Sequence, residues 1–485
     1  MAFGPFAMDD SSILIQESST EDIAQAAGAC REAFLRWRGH SIRERSEIIA
    51  RIWREIRAKS PEFARIIHEE TGKPAAEVEA MEMPALDAVV SYFTANARRI
   101  LGDDPAPRPW FLGNKRAYVR YNPRGVIGII SPWNMPLLIP WGDAAPALLA
   151  GNAVLLKPSE RASRAALRLE RLIDAVGLLP KGLFSVVTGG ERAAQDVVRA
   201  SDMVVFTGSP ENGRRVAAAC AQSLKPAVLE LGGKQAMIVL RDAPLKRAIR
   251  AAIWSGFSNC GQVCTGAGRI FVEDEIYEAF SSGLLAELKD LQEKYKADFG
   301  RLTPPLYART IREVLEEAAN SGGQVFGGEL LDEDSGLVRP AVILEAKPGM
   351  RAMTEEIFGP VLALARVKSG AEAAALINRG RFGLAASVWS RDLRQAEKLG
   401  AALEAGLVGI NETMIHYAVP SLPFAGIKSS GLGRRHSEEG LRQFCWPQSV
   451  LVHEWPRDAS DVWYFPSAPW KARLLSLLGR GLRPR

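Results

Sequence analysis

Cysteine is scarce in this chain. Its five copies, Cys30, Cys220, Cys260, Cys264 and Cys445, are odd in number and scattered through 485 residues. That usage excludes a disulfide framework and indicates a reducing compartment. No second cysteine pair or spaced histidine pair exists to complete a metal site with Cys260 and Cys264, so no metal is expected. No apolar run approaches the ~20 residues of a membrane span. The opening MAFGPFAMDDSS lacks a basic segment followed by an apolar one, so no secretory signal is expected and the location reads as cytoplasmic. A broad basic face is missing too. The net charge is +5, but from Val462 onward there are five basic residues and no acid, and the rest carries 56 residues of each sign. Nucleic acid is therefore not an expected partner. Internal repeats and low-complexity segments are absent.

With 47% hydrophobic and 24% charged residues, the chain reads as soluble and globular, and its length implies two or three domains. From Ser19 to about Arg99 the pattern is helical. Ser19 or Thr20 is a candidate N-cap, and Ile48, Ile49, Ile52, Trp53 and Ile56 recur at helical spacing. Between Gly102 and Pro123 a Pro-rich stretch leads into the alternating run RAYVRYN, which suits an exposed strand or arm. From Gly125 short apolar strands (125–130, 153–157, 183–189, 203–208 and 227–233) alternate with helices, the pattern of a parallel sheet covered on both faces. This is a doubly wound α/β domain, and its ligands belong at the carboxyl ends of the strands. A second α/β unit follows Lys234.

The segment FSNCGQVCTGAGR (257–269) places Cys264 in a Gly-rich turn between a helix and a strand. A thiolate is the strongest side-chain nucleophile near neutral pH, and small neighbours let a substrate and backbone N–H groups reach it. The commoner fate of such a cysteine is to be buried and inert. Other polar residues collect at strand ends: Asn134 in SPWNMP, Lys157 and Glu160 in KPSE, Gly208 and Ser209 in FTGSPENG, Glu230 in LELGGK, Glu356 and Phe358 in EEIFGPV. Each alone is weak.

In this order, with PFAGIKSSGLGR (423–434), these motifs resemble the aldehyde dehydrogenase superfamily from about Glu21 to Phe444. The resemblance implies a doubly wound parallel-sheet cofactor domain (1–103 and 124–232), a second α/β catalytic domain (233–428) and a small β oligomerisation arm (104–123 and 445–460). A basic amphipathic tail (461–485) follows. It implies Cys264 as nucleophile, Asn134 and the Cys264 backbone N–H as oxyanion donors, and Glu230 as general base for thioester hydrolysis. Ser131, Trp133, Lys157, Glu160, Gly208, Ser209, Glu356 and Phe358 would hold the dinucleotide. The carboxylate of Glu160 favours NAD, with NADP the second candidate.

Gln235, Ala425 and the pair Arg435-His436 depart from the family pattern, and none is expected to touch a chemical group. Met135, Leu138, Ile139 and Gly142 would line the aldehyde tunnel, with Gly142 at its wider end. That suits an apolar aliphatic or aromatic aldehyde as the small-molecule partner. In the tail, Trp470, Leu474, Leu477 and Leu478 share one face if helical, with Lys471 and Arg473 on others. A weak peripheral contact with the inner face of a membrane and docking on the protein body are both open readings. The arm suggests a homodimer or tetramer. Two other functions compete: a coenzyme A-acylating dehydrogenase, in which the position of Glu230 is typically not a carboxylate, and a catalytically idle protein on the same scaffold.

Overall fold

The Val-, Ile- and Leu-rich runs form two sheets in the computed structural model, which describes residues 15–294, 298–332, 335–455 and 461–480. The first sheet runs in the order Gly431–Leu432, Ala227–Leu231, Met203–Gly208, Val126–Ile130, Ala153–Lys157, Phe184–Val186. All neighbours are parallel except the first pair. Strand order reverses at Val126–Ile130, so a crevice opens beyond the carboxyl ends of that strand and of Met203–Gly208. Ser131 and Ser209 follow these two strands directly.

The second sheet has the order Gln324–Gly327, Ala341–Leu344, Val361–Val367, Ala267–Glu273, Gln235–Val239, Ala385–Trp389, Leu407–Ile410. Only its first pair is antiparallel. The chain is thus α/β with two parallel sheets. A third, antiparallel sheet joins Asp104–Pro105, Lys115–Pro123 and Cys445–His453.

Helices cover the first sheet. Ser19 is the N-cap of Thr20–Trp37: its hydroxyl accepts the Asp22 N–H, while the Asp22 carboxylate accepts the Ser19 N–H. In the next helix Ile49, Ile52, Trp53 and Ile56 are buried as their spacing predicts. The helix Leu138–Leu149 is buried on every side. That explains its nearly unbroken apolar composition and makes its one acid, Asp143, conspicuous.

The tail forms the helix Pro469–Arg480, and Trp470, Leu474 and Leu477 on it are exposed. Residues 481–485, with Arg483 and Arg485, lie outside the described residues, as do residues 1–14 and 456–460. Among the described residues no helix is long and apolar enough to cross a membrane.

Candidate active site

Cys264 follows a backbone kink that begins where the helix Leu245–Phe257 ends. Asn259 and Cys260 both adopt left-handed φ values of 50° and 55°. Non-glycine residues hold that conformation only when their surroundings enforce it. Here the enforcement is visible: the Asn259 N–H donates to Glu77 Oε2 at 2.7 Å, and its side-chain amide donates to the Asn134 carbonyl at 3.0 Å. Gln262 adds three bonds, donating to the carbonyls of Asn259 and Arg301 and accepting the Thr303 N–H at 2.7 Å. Gly261 is required because a Cβ there would lie 2.2 Å from the Gly359 carbonyl oxygen.

Asn134 is tied to the same turn. Its Nδ2 donates to the Gln262 carbonyl at 2.9 Å, a bond that uses one of its two N–H groups. The start of the following helix is held by Glu82, whose Oε2 accepts the N–H groups of Leu137 and Leu138 at 3.1 and 2.8 Å. Glu82 Oε1 meets the Lys73 ammonium at 2.7 Å, and both side chains are fully buried.

Cys264, Glu230 and Asn134 line one cavity of about 170 Å³. Cys264 is half-buried. Burial pushes its thiol up to about 12, the charges of Glu356 and Glu230 add to the shift, and Arg435 opposes it. Glu230 sits on strand Ala227–Leu231, opposite Gly431, and neither carboxyl oxygen has a hydrogen-bond partner among the described residues. Burial pushes its carboxyl up to about 8, against the opposing charge of Arg435. A carboxyl held there can exchange a proton within the neutral to mildly alkaline range.

Cys264 also lines a second, smaller cavity with Glu356 and Phe358. There the Gly233 N–H donates to Glu356 Oε1 at 3.0 Å. A Cβ on Gly232 would fall 1.8 Å from Glu356 Oε2, so the glycine pair is what lets this carboxylate lie against the backbone. Burial holds the Glu356 carboxyl up to about 7. Phe358 has φ 53° and meets the Trp133 ring edge-on at 5.7 Å between centroids.

Across the crevice Lys157 is buried, its ammonium 3.5 Å from Glu160. Ser209 caps the helix Pro210–Gln222, and its hydroxyl accepts the Asn212 N–H at 3.3 Å. The buried Ser131 hydroxyl has no partner among the described residues. A cradle bounded by glycines, an orphaned hydroxyl and a helix N-terminus fit a dinucleotide.

One sequence expectation needs correction. Gly142 does not widen the cavity: the space its missing side chain leaves is taken by the Tyr417 hydroxyl, 2.5 Å from where a Cβ would lie. Arg435 bonds neither Cys264 nor Glu230 among the described residues, but its charge acts on both. It lines the same cavity as Glu230 and Cys264, donating from Nε and Nη2 to the two oxygens of Asp143 at 2.6 Å each, and from Nη2 to Thr207. His436 beside it packs edge-on against Tyr417 at 4.5 Å, and burial with the Arg435 charge pushes its imidazole down to about 3. The lone acid of an otherwise apolar helix was the available signal for this pair.

The doubly wound crevice and the cysteine turn define an oxidoreductase of the dinucleotide-dependent class. A family model, the aldehyde dehydrogenase family, matches residues 5–450, and the chain belongs to that family. A glutarate-semialdehyde dehydrogenase of Pseudomonas putida is 35% identical over 89% of each chain. A 4,4'-diapolycopene aldehyde oxidase of Methylomonas sp is also 35% identical, over 92% of this chain and 84% of the relative. The crystal structure of an NAD-dependent aldehyde dehydrogenase from Sinorhizobium meliloti superposes with a TM-score of 0.86 at 33% identity, covering 93% of this chain and 90% of that one. The protein is an NAD(P)-dependent aldehyde dehydrogenase, oxidising an aldehyde to the acid.

Proposed function

We propose that this enzyme oxidises apolar aliphatic or aromatic aldehydes through a covalent Cys264 adduct. The observation that carries the reading is the shared cavity of Cys264, Glu230 and Asn134, whose other walls include Met81, Leu138, Ile139, Trp254, Leu384 and Phe424. A substrate carboxylate would find little there, because the one cation lining it, Arg435, is already matched by Asp143.

Cys264 Sγ bonds to the aldehyde carbon while its proton passes to the Glu230 carboxylate. The carbonyl oxygen becomes an oxyanion, accepted by the free Nδ2–H of Asn134 and the Cys264 N–H; losing one such donor costs ~10²–10³ in rate. A bound dinucleotide would supply the hydride acceptor for that carbon, and Cys264 Sγ would keep the acyl group. Glu230, having returned its proton to solvent, then deprotonates a water. The hydroxide adds to the acyl carbon, the C–S bond breaks, and Cys264 leaves as a thiolate that regains a proton.

Lys157 and Glu160 would hold the adenosine ribose, and Ser131, Trp133, Gly208 and Ser209 would flank the pyrophosphate. Glu356 and Phe358 would place the nicotinamide half. A carboxylate at Glu160 repels a 2′-phosphate, which favours NAD. The presence of Glu230 favours water over coenzyme A as acyl acceptor, and a reaction that stalls without coenzyme A would reverse this. Retention of the whole reactive set weighs against an idle scaffold.

An aldehyde panel read by cofactor reduction tests the substrate class: alkanals and benzaldehydes should exceed semialdehydes in kcat/KM. Cys264→Ala should abolish turnover, and activity at the parent's rate would refute the mechanism.

The strand Cys445–His453, with Trp446 and Leu451 exposed, suits a subunit contact. The exposed Trp470, Leu474 and Leu477, close to Lys471 and Arg473, suit weak association with an anionic membrane. Unchanged vesicle sedimentation at low salt after deletion of residues 466–485 would remove the membrane reading.

A further inference from the structure

Lys234 and Arg269 are 6% and 5% exposed, and neither forms an ion pair among the described residues. Arg269 Nη1 donates to the Met353 carbonyl at 3.0 Å, its guanidinium lies 5.8 Å over the Phe271 ring, and its Nε has no partner. Both side chains line a cleft of about 520 Å³ whose lining includes neither Cys264 nor Glu230. Arg379 and Arg381 stand exposed on the same cleft. Its one carboxylate, Glu355, is engaged by Arg351 at 3.0 Å. Burial pushes the Lys234 amine down to about 7, the Arg269 charge acts in the same direction, and the charges of Glu356 and Glu355, neither in contact with the amine, oppose it.

Buried cations without counter-ions are costly, and two side by side are more so. A ligand that supplies the missing negative charge removes that cost. We propose that this cleft binds a small polyanion, carrying phosphate or carboxylate groups with at least two negative charges between Lys234, Arg269, Arg379 and Arg381. Lys234 also lines the small cavity of Cys264 and Glu356, so an anion that keeps its amine protonated favours the ionised form of Glu356. Occupancy of the cleft is thereby coupled to the cofactor side of the site.

The test uses the full-length enzyme saturated with NAD, so that the dinucleotide crevice is filled, at constant ionic strength set with sodium chloride. Pyrophosphate and malonate are titrated separately by calorimetry and by thermal shift. Saturable binding with a rise in Tm is expected for at least one of them. The tighter one identifies the ligand as phosphate-bearing or as a dicarboxylate. The double variant Arg379→Gln, Arg381→Gln should weaken it at least about tenfold while leaving the unliganded Tm unchanged. Arg269→Lys, which keeps the buried charge but loses the fork, should weaken it as well. Absence of saturable binding of either anion, or equal affinity in the double variant, would overturn the assignment.

Discussion

Arg435 grips both carboxyl oxygens of Asp143 at 2.6 Å, and the pair is buried in the wall of the cavity that holds Glu230. Arg435 lowers the Glu230 pKa and Asp143 raises it, with Arg435 the larger influence of the two. Burial is the larger cause of the shift, and the enclosed charge pair adjusts the proton affinity that burial gives Glu230.

Replacing Arg435 by Met leaves Asp143 buried and unpaired. A loss of about 3–5 kcal/mol is expected in denaturant unfolding. The double variant Arg435→Met, Asp143→Leu should regain much of it. In both, Glu230 loses its stabilising cation, so the rising limb of the kcat/KM profile moves to higher pH. A purely structural role for Arg435 would leave that limb in place.

Glu230 itself gives a pH-dependent rate. Its carboxyl is held near 8, and the base must be ionised to act, so hydrolysis should rise with pH and level off above about 8. In Glu230→Gln both the Cys264 proton and the hydrolytic water lose their acceptor, so stopped-flow should show reduced cofactor forming more slowly than in the parent and stopping near one equivalent, with the acyl-enzyme detectable by mass spectrometry.

The same shift appears in stability. Between the ordinary value of 4.5 and about 8 the folded protein keeps a proton that the unfolded chain has lost. The contribution of Glu230 therefore falls as pH rises through that window. The Tm of Glu230→Gln relative to the parent should climb from pH 5 to pH 8.

Gly142→Ala drives a methyl group into the Tyr417 hydroxyl. Overpacking of this kind costs ~1–3 kcal/mol, and Tyr417→Phe in the same chain should recover most of it. Thermal melts of the four chains of this cycle measure the coupling directly.

Glu82→Gln leaves the Lys73 ammonium buried without its counter-charge and loosens the helix start that follows Asn134. A loss of about 3–5 kcal/mol is expected. Steady-state assays should show kcat falling more than KM rises, because the oxyanion donor is displaced while the apolar walls remain.

Much of this architecture was legible in one dimension. Continuous β-branched strands such as Val126–Ile130 can only be buried on both faces, and polar residues placed at their ends converge once the sheet is parallel. Glu230, Glu356 and Cys264 were singled out by that logic joined to family likeness, and Cys264 lines one cavity with Glu230 and another with Glu356. Arg435 was not, because its position depends on a loop whose path is set by tertiary contacts. His436 and Ser437 take φ values of 61° and 56°, and Met414 takes 62°. No local pattern of side chains prescribes left-handed backbone for such residues. Tyr417 arrives by the same route, and its occupation of the Gly142 space could not be read from helical spacing. The tail, by contrast, meets the condition stated for it, a helix over Pro469–Arg480.

The short strand Gly431–Leu432 pairs with the strand that carries the proposed base, Gly431 opposite Glu230. A nascent polypeptide therefore carries Cys264 and Glu230 out of the ribosome well before the segment that borders them exists. Until translation has passed Arg435, the cavity shared by these two residues lacks one of its walls.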